Sequence, residues 1–255
     1  MSSHYFEFRN VSKSFDENDV LKDVSFFAEA GETAVIMGRS GVGKSVSLKL
    51  LLGFLQPDAG RIVVAGQDVT EWTEEQFSAI RRRVTMVFQS GALFDSLTVA
   101  ENVAFPLLGS GNVENTDKID RHVAKLLEML EVSEFADRLP ADLSTGTKRS
   151  VAIARALADN PDAILYDEPT TMVDPLMALH ISDLILKLKV TFHKTSIVVT
   201  HDTHLAKKLA DRVIFLHEGR VGFCGTWPEL EASKEPFLLN FLLEDNLIPA
   251  LDATD

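Results

Sequence analysis

Gly38-Arg39-Ser40-Gly41-Val42-Gly43-Lys44-Ser45 fits G-x-x-x-x-G-K-[ST] at every fixed position. An apolar run, Ala34 to Met37, precedes it, and a helical pattern from Val46 to Phe54 follows. Strand, glycine-rich turn and helix give the motif a mechanism. Glycines let the backbone curl so that several N–H groups point inward at a phosphate. The helix N-terminus adds partial positive charge. Lys44 brings a full charge to the outer phosphates, and the Ser45 hydroxyl is a hard oxygen ligand suited to Mg²⁺. The phosphate site is read as Gly38 through Val46.

Outward from this loop, nearly continuous apolar runs recur at Thr33 to Met37, Val84 to Phe88, Ala163 to Tyr166, Ser196 to Thr200 and Arg212 to Leu216. Strands buried on both faces have this composition. Helical patterns between most of them predict a parallel α/β sheet. The third run ends in Asp167-Glu168. Acids at the C-terminal edge of a sheet sit where α/β folds bind ligands. Paired with the phosphate loop, Asp167 is expected to hold Mg²⁺ and Glu168 to accept a proton from an attacking water. By themselves, two acids after a strand could equally cap a helix. A guanine-reading Asn-Lys-x-Asp is absent. A second anion-binding pattern, Leu143-Ser144-Thr145-Gly146-Thr147, opens a small-residue helix running to Ala158; its bland reading is an ordinary N-cap at Ser144.

The chain has 255 residues with 25 Lys plus Arg against 38 Asp plus Glu, a net charge of −13. Such acidity argues against a nucleic-acid partner, which selects a basic face. The run Arg81-Arg82-Arg83 is read as a solvated helix end. The single cysteine, Cys224, fits a reducing compartment. No apolar run reaches membrane-span length, and no signal-peptide pattern is expected at the N-terminus.

Three regions are expected. Residues 1–88 and 159–230 form the α/β core, with an antiparallel β layer at Tyr5 to Val11, Val24 to Ala28 and Arg61 to Ala65. Residues 89–158 form a helical insert. Within it, Val123, Leu126, Leu127 and Leu130 stand at i, i+3, i+4 and i+7, and Gly109 to Asn115 reads as a surface loop. Residues 231–255 form a tail.

Taken together, these motifs resemble the ATP-binding subunit of ABC transporters, over about residues 4 to 230. The resemblance implies a P-loop (RecA-like) core with a mainly parallel sheet, an antiparallel β edge layer and an inserted helical subdomain. It also implies ATP with Mg²⁺, and a homodimer that sandwiches two ATP molecules. On this resemblance Phe15 stacks on adenine. Gln89 touches Mg²⁺ and the lytic water, and Asp174 belongs to the D-loop. His201 reads the γ-phosphate. Ser144 and Gly146 reach the ATP held by the partner subunit. Catalysis is then assigned to Glu168, His201, Lys44 and Gln89, and the metal to Ser45, Gln89 and Asp167. The family signature Leu-Ser-Gly-Gly-Gln is altered here at Thr145 and Thr147, and a β-branched residue at 145 is expected to disfavour the left-handed backbone a glycine permits.

The segment Ser90 to Leu97 is expected to line a groove for a helix of an integral membrane permease, placing the chain peripherally on the cytoplasmic face of the inner membrane. The phrase from Phe88 to Leu107 resembles the Mla and Mce-associated ATPases. That implies phospholipid or related lipid as cargo, with an Mce-type substrate-binding protein and a small regulatory subunit as further partners. An importer of amino acids or another small solute, a weakly hydrolysing regulatory subunit, and a soluble ATPase are the alternatives. Phe237, Leu238, Leu239, Phe241, Leu242 and Leu243 make the tail apolar, and it is expected to pack on the partner protomer or the regulator, the competing possibility being its own subunit.

Overall fold

A computed structural model describes residues 4–108 and 116–244. In chain order the strands are β1 (His4–Phe15), β2 (Asn18–Glu29), β3 (Thr33–Met37), β4 (Ala59–Val64), β5 (Gln67–Asp68), β6 (Val84–Val87), β7 (Ala163–Asp167), β8 (Thr195–Val199), β9 (Arg212–His217) and β10 (Arg220–Gly225). The helices are α1 (Lys44–Leu51), α2 (Glu74–Arg83), α3 (Val99–Leu108), α4 (Thr116–Met129), α5 (Thr145–Leu157), α6 (Pro175–Phe192), α7 (Thr203–Leu209), α8 (Trp227–Glu231) and α9 (Pro236–Glu244).

Six strands form one sheet in the order β10-β9-β3-β8-β7-β6. All neighbours are parallel except the β9–β10 hairpin. The three central strands β3, β7 and β8 are buried at every position, which is why they read as unbroken apolar runs. Alternate residues serve opposite faces. Val35, Met37, Tyr166, Val198 and Phe215 join α5, α6 and α7 on one face. Ala34, Ile36, Leu165, Ile197 and Ile214 join α1 and α2 on the other, together with the antiparallel sheet β2-β1-β4-β5. Strand β10 went unread in the sequence. It is a six-residue edge strand with two glycines and half its positions exposed.

The insert contains α3, α4 and α5 and no strand among its described residues. Val123, Leu126, Leu127 and Leu130 are all buried on one side, as their spacing predicts. Helix α4 stops one residue before Leu130, and Glu131 adopts a left-handed φ of 59°. The loop reading at 109–115 lies outside the described residues. Two of the three consecutive arginines are neutralised within the chain. Arg81 pairs with Glu74 and donates to the Leu52 carbonyl, and Arg83 pairs with Asp162 at 2.7 Å.

The described part of the tail lies against its own subunit. Helix α9 packs on its own subunit, where Leu238, Phe241 and Leu242 are buried in the same core as α5 and α6. Phe237 stacks on His217 at 4.4 Å and Phe241 meets Phe215 edge-on at 4.9 Å. Gly222 on β10 makes this possible, since a Cβ there would lie 2.9 Å from the Phe237 ring.

Candidate functional site

Parallel strands aim their C-terminal ends at one edge, and every core motif except Phe15 follows such an end. Ile36 of β3 and Asp167 of β7 are both in register with Val199 of β8, and Val87 of β6 with Tyr166 of β7. Gly38, Asp167-Glu168, His201 and Gln89 therefore emerge side by side. Sequence separation is irrelevant here; strand order alone converges them.

The loop after β3 is a phosphate cradle in its backbone. Gly38, Gly41 and Gly43 have φ of 144°, 83° and 103°. A Cβ on Gly38 would sit 2.4 Å from the Leu216 carbonyl, and one on Gly43 would sit 2.4 Å from Leu21. Gly41 faces open space. The loop is thus pressed closely onto the core from behind and open in front, which suits an anion of triphosphate type. Lys44, almost wholly buried, donates from Nζ to the carbonyls of Gly38 at 2.9 Å and Arg39 at 3.1 Å. Its ammonium lies 3.5 Å from Glu168 Oε1.

Ser45 Oγ donates to Asp167 Oδ1 at 2.7 Å. These two hard oxygen donors, adjacent at the loop's mouth, would together hold a Mg²⁺ ion. Burial pushes the Asp167 carboxyl above the usual carboxylate range, against the Ser45 hydrogen bond that lowers it. Glu168 takes the left-handed backbone, φ 48°, while its N–H donates to the Val199 carbonyl at 2.9 Å. This bend turns the chain off β7 and holds the carboxylate at the rim. There Glu168 Oε2 is 2.9 Å from His201 Nδ1 and accepts from Thr171 Oγ1 at 3.0 Å. Helix capping is not the role of these acids, because α6 begins at Pro175 with Asp174 as its cap.

Phe15 ends β1 and is 41% exposed, with Lys13 Nζ 5.5 Å from its ring centre. A cleft of about 260 Å³ separates the β1–β2 turn from the phosphate loop, lined by Asn18, Asp19, Ser40, Gly41, Val42 and Glu218 among others. Phe15 is not in that lining, so the structure sets it near the hairpin turn and leaves its assigned stacking role open to test. Gln89 is exposed two residues beyond β6. Arg149, buried in α5, donates to the Phe88 carbonyl at 2.6 Å and reaches the Thr171 carbonyl at 3.4 Å. It ties the segment carrying Gln89 to the segment holding Glu168.

Ser144 and Gly146 are not brought to this cradle. Ser144 caps α5, accepting from the Thr147 N–H at 3.1 Å. Gly146 faces Met177 of α6, whose Cγ would lie 2.2 Å from a Cβ. The concern over Thr145 is corrected: the residue is the first of α5 and has no positive φ, so its side chain meets no backbone conflict. Asp174 accepts from the Met177 N–H at 3.0 Å. Sequence reasoning gave neither Thr171 nor Met177 a role. Thr171 stands three residues past Glu168, close enough for a hydroxyl to return to the carboxylate. Met177 carried no local signal.

The fold and this constellation define an ATP-binding cassette ATPase. Residues 21–171, more than half of the chain, match the family described as ABC transporter, and the chain belongs to that family. It is 38% identical to the spermidine/putrescine import ATP-binding protein PotA of Trichodesmium erythraeum, over 94% of this chain and 62% of that protein. With the protein trigalactosyldiacylglycerol 3, chloroplastic, of Arabidopsis thaliana it shares 36% identity, over 92% of this chain and 72% of that one. Other relatives carry the names of sulfate/thiosulfate, methionine and iron import ATP-binding proteins. Among solved structures, a dimeric post-hydrolysis state of the ATP-binding cassette MJ0796 bound to ADP and Pi is 33% identical, with a TM-score of 0.79 over 87% of this chain and 98% of that one. Clostridium perfringens cbiO1, part of the ABC transporter complex cbiONQ, is 28% identical with a TM-score of 0.82 over 92% and 93%. Mla- or Mce-type membership is not part of what these likenesses establish.

Proposed function

We propose that this chain hydrolyses ATP as a homodimer and drives a membrane permease. The observation that carries the reading is the placement of Glu168 at the cradle's rim, held between Lys44, His201 and Thr171. The triphosphate lies along Gly38 to Val46, with Phe15 on the base. Ser45, Asp167 and Gln89 would hold Mg²⁺, which when bound would supply neutralising charge to the phosphate. Glu168 takes the proton of the attacking water, His201 orients that carboxylate, and Lys44 offsets charge gathering on the transferred group. Ser144, Gly146 and Asp174 act across the dimer. Glu168→Gln tests this directly: hydrolysis falls at least about a hundredfold, and ATP converts the variant to a stable dimer. A variant that stays monomeric with saturating ATP refutes the sandwich.

The permease contact is supported by an exposed aromatic pair beyond Gln89. Phe94 and Phe105 are 42% and 47% exposed, with ring centres 4.4 Å apart and planes tilted by 45°. Buried Asn102 fixes the Phe94 loop to α3 through four hydrogen bonds to the backbone of Phe94, Leu97 and Thr98. No helix among the described residues is long and apolar enough to cross a membrane. The proposed attachment to the cytoplasmic face uses this aromatic surface.

For the cargo, the relatives' names favour import of a small solute over the lipid read from the sequence. A lipid remains a second reading, carried by the Phe88 to Leu107 phrase and by one relative named for a glycolipid. Purification of the chain from native membranes separates the two. A permease recovered with a solute-binding protein supports the solute, and one recovered with an Mce-type protein and bound lipid supports the lipid.

A further inference from the structure

Ser144 Oγ lies 2.8 Å from Thr147 Oγ1, besides accepting the Thr147 backbone N–H at 3.1 Å. A serine hydroxyl has one proton to give and two lone pairs to fill. The backbone N–H fills one. Two arrangements remain for the hydroxyl pair. If Ser144 donates to Thr147, it keeps no proton for a ligand and turns a lone pair outward. If Thr147 donates to Ser144, both lone pairs are filled and the Ser144 proton must point away from the helix. An anion placed over the N-terminus of α5 meets a lone pair in the first case and a proton in the second. It therefore selects the second.

We infer that Thr147 is a positioning residue whose hydroxyl, by donating to Ser144, turns the Ser144 proton toward a terminal phosphate. This rests on the proposed contact of Ser144 with ATP held by a second copy of the chain. Thr147 itself touches no phosphate. The residue is half-buried at the third position of α5. The altered signature is on this account a working donor pair. A residue at 147 with no side-chain donor leaves the second Ser144 lone pair free to face the anion or to take water.

The test uses the full-length chain with Mg²⁺ and ATP. Thr147→Val keeps the side chain's shape and removes only the hydroxyl. The ATP concentration for half-maximal hydrolysis rises about threefold to tenfold, the worth of one ordinary hydrogen bond, and kcat moves less than KM. The same rise appears in the ATP needed to dimerise the Glu168→Gln protein. Thr147→Ser restores both values, which a loss of helix packing would not allow. In a Ser144→Ala background, Thr147→Val adds nothing. An unchanged or lowered KM in Thr147→Val, while Ser144→Ala raises it, overturns the inference and leaves the sandwich standing. A Ser144→Ala protein with wild-type KM overturns both. An equal effect of Thr147→Val with and without Ser144 shows that Thr147 acts by another route.

Discussion

Replacing Arg149 with Met separates a structural tie from a catalytic one. Arg149 is 2% exposed, and its guanidinium spans two carbonyls, Phe88 at 2.6 Å and Thr171 at 3.4 Å. Met retains most of the apolar stem, so packing loss is small. A hydrogen bond from a charged donor is worth about 1.5–3 kcal/mol, and the Phe88 bond is the short one. The Thr171 contact is long and adds little. Burial works the other way. It disfavours the charged guanidinium, only partly offset by Asp167, so removing the charge returns some of its desolvation cost. The net loss is about 1–2 kcal/mol. For a chain of this size each kcal/mol moves the melting point by about 2–4 °C, which gives a drop of about 2–8 °C. Activity is expected to fall further than stability, since the two tied segments carry Gln89 and the Thr171 partner of Glu168. Scanning calorimetry and steady-state hydrolysis at a temperature well below the melt measure both. Wild-type turnover in a protein with the lowered melting point refutes the claim that Arg149 aligns the two segments.

Two further expectations follow from burial. The folded Asp167 carboxyl titrates above its unfolded value, so the folded state binds more protons as pH crosses that interval. Its charged form costs stability above the folded pKa, and the cost vanishes below the unfolded one. Asp167→Asn keeps an acceptor for Ser45, raises the melting point at pH 7, and loses this gain as the pH falls through the carboxylate range; Mg²⁺-dependent hydrolysis is lost with it. A melting point below wild type at pH 7 contradicts the reading. Leu242→Ala, at a fully buried position of α9, lowers stability by about 2–3 kcal/mol and leaves ATP-driven dimerisation of the Glu168→Gln protein unchanged. A weakened dimer with an unaltered melt returns the tail to the partner.

The sequence by itself determined whatever depends on local covalent order. The phosphate loop, its lysine and serine, and the apolar strands that end in Asp167-Glu168 and precede His201 are contiguous patterns. They are legible because glycine spacing and unbroken apolar runs are local consequences of a tight turn and a doubly covered strand. The amphipathic stripe of α4 was legible for the same reason. Tertiary structure decided the rest. Strand order β3-β8-β7-β6 brings Lys44, His201, Glu168 and Gln89 to one edge across more than 150 residues of chain. The apolarity of α9 showed that it must be covered; only the groove over Gly222 and His217 showed by what. Thr145 looked strained because the comparison was with a glycine, and the helix start at that residue removed the strain. The partners of Arg149 and Met177 could not be read from any pattern. Their roles come from distances to atoms distant in sequence, and a one-dimensional pattern holds no such distances.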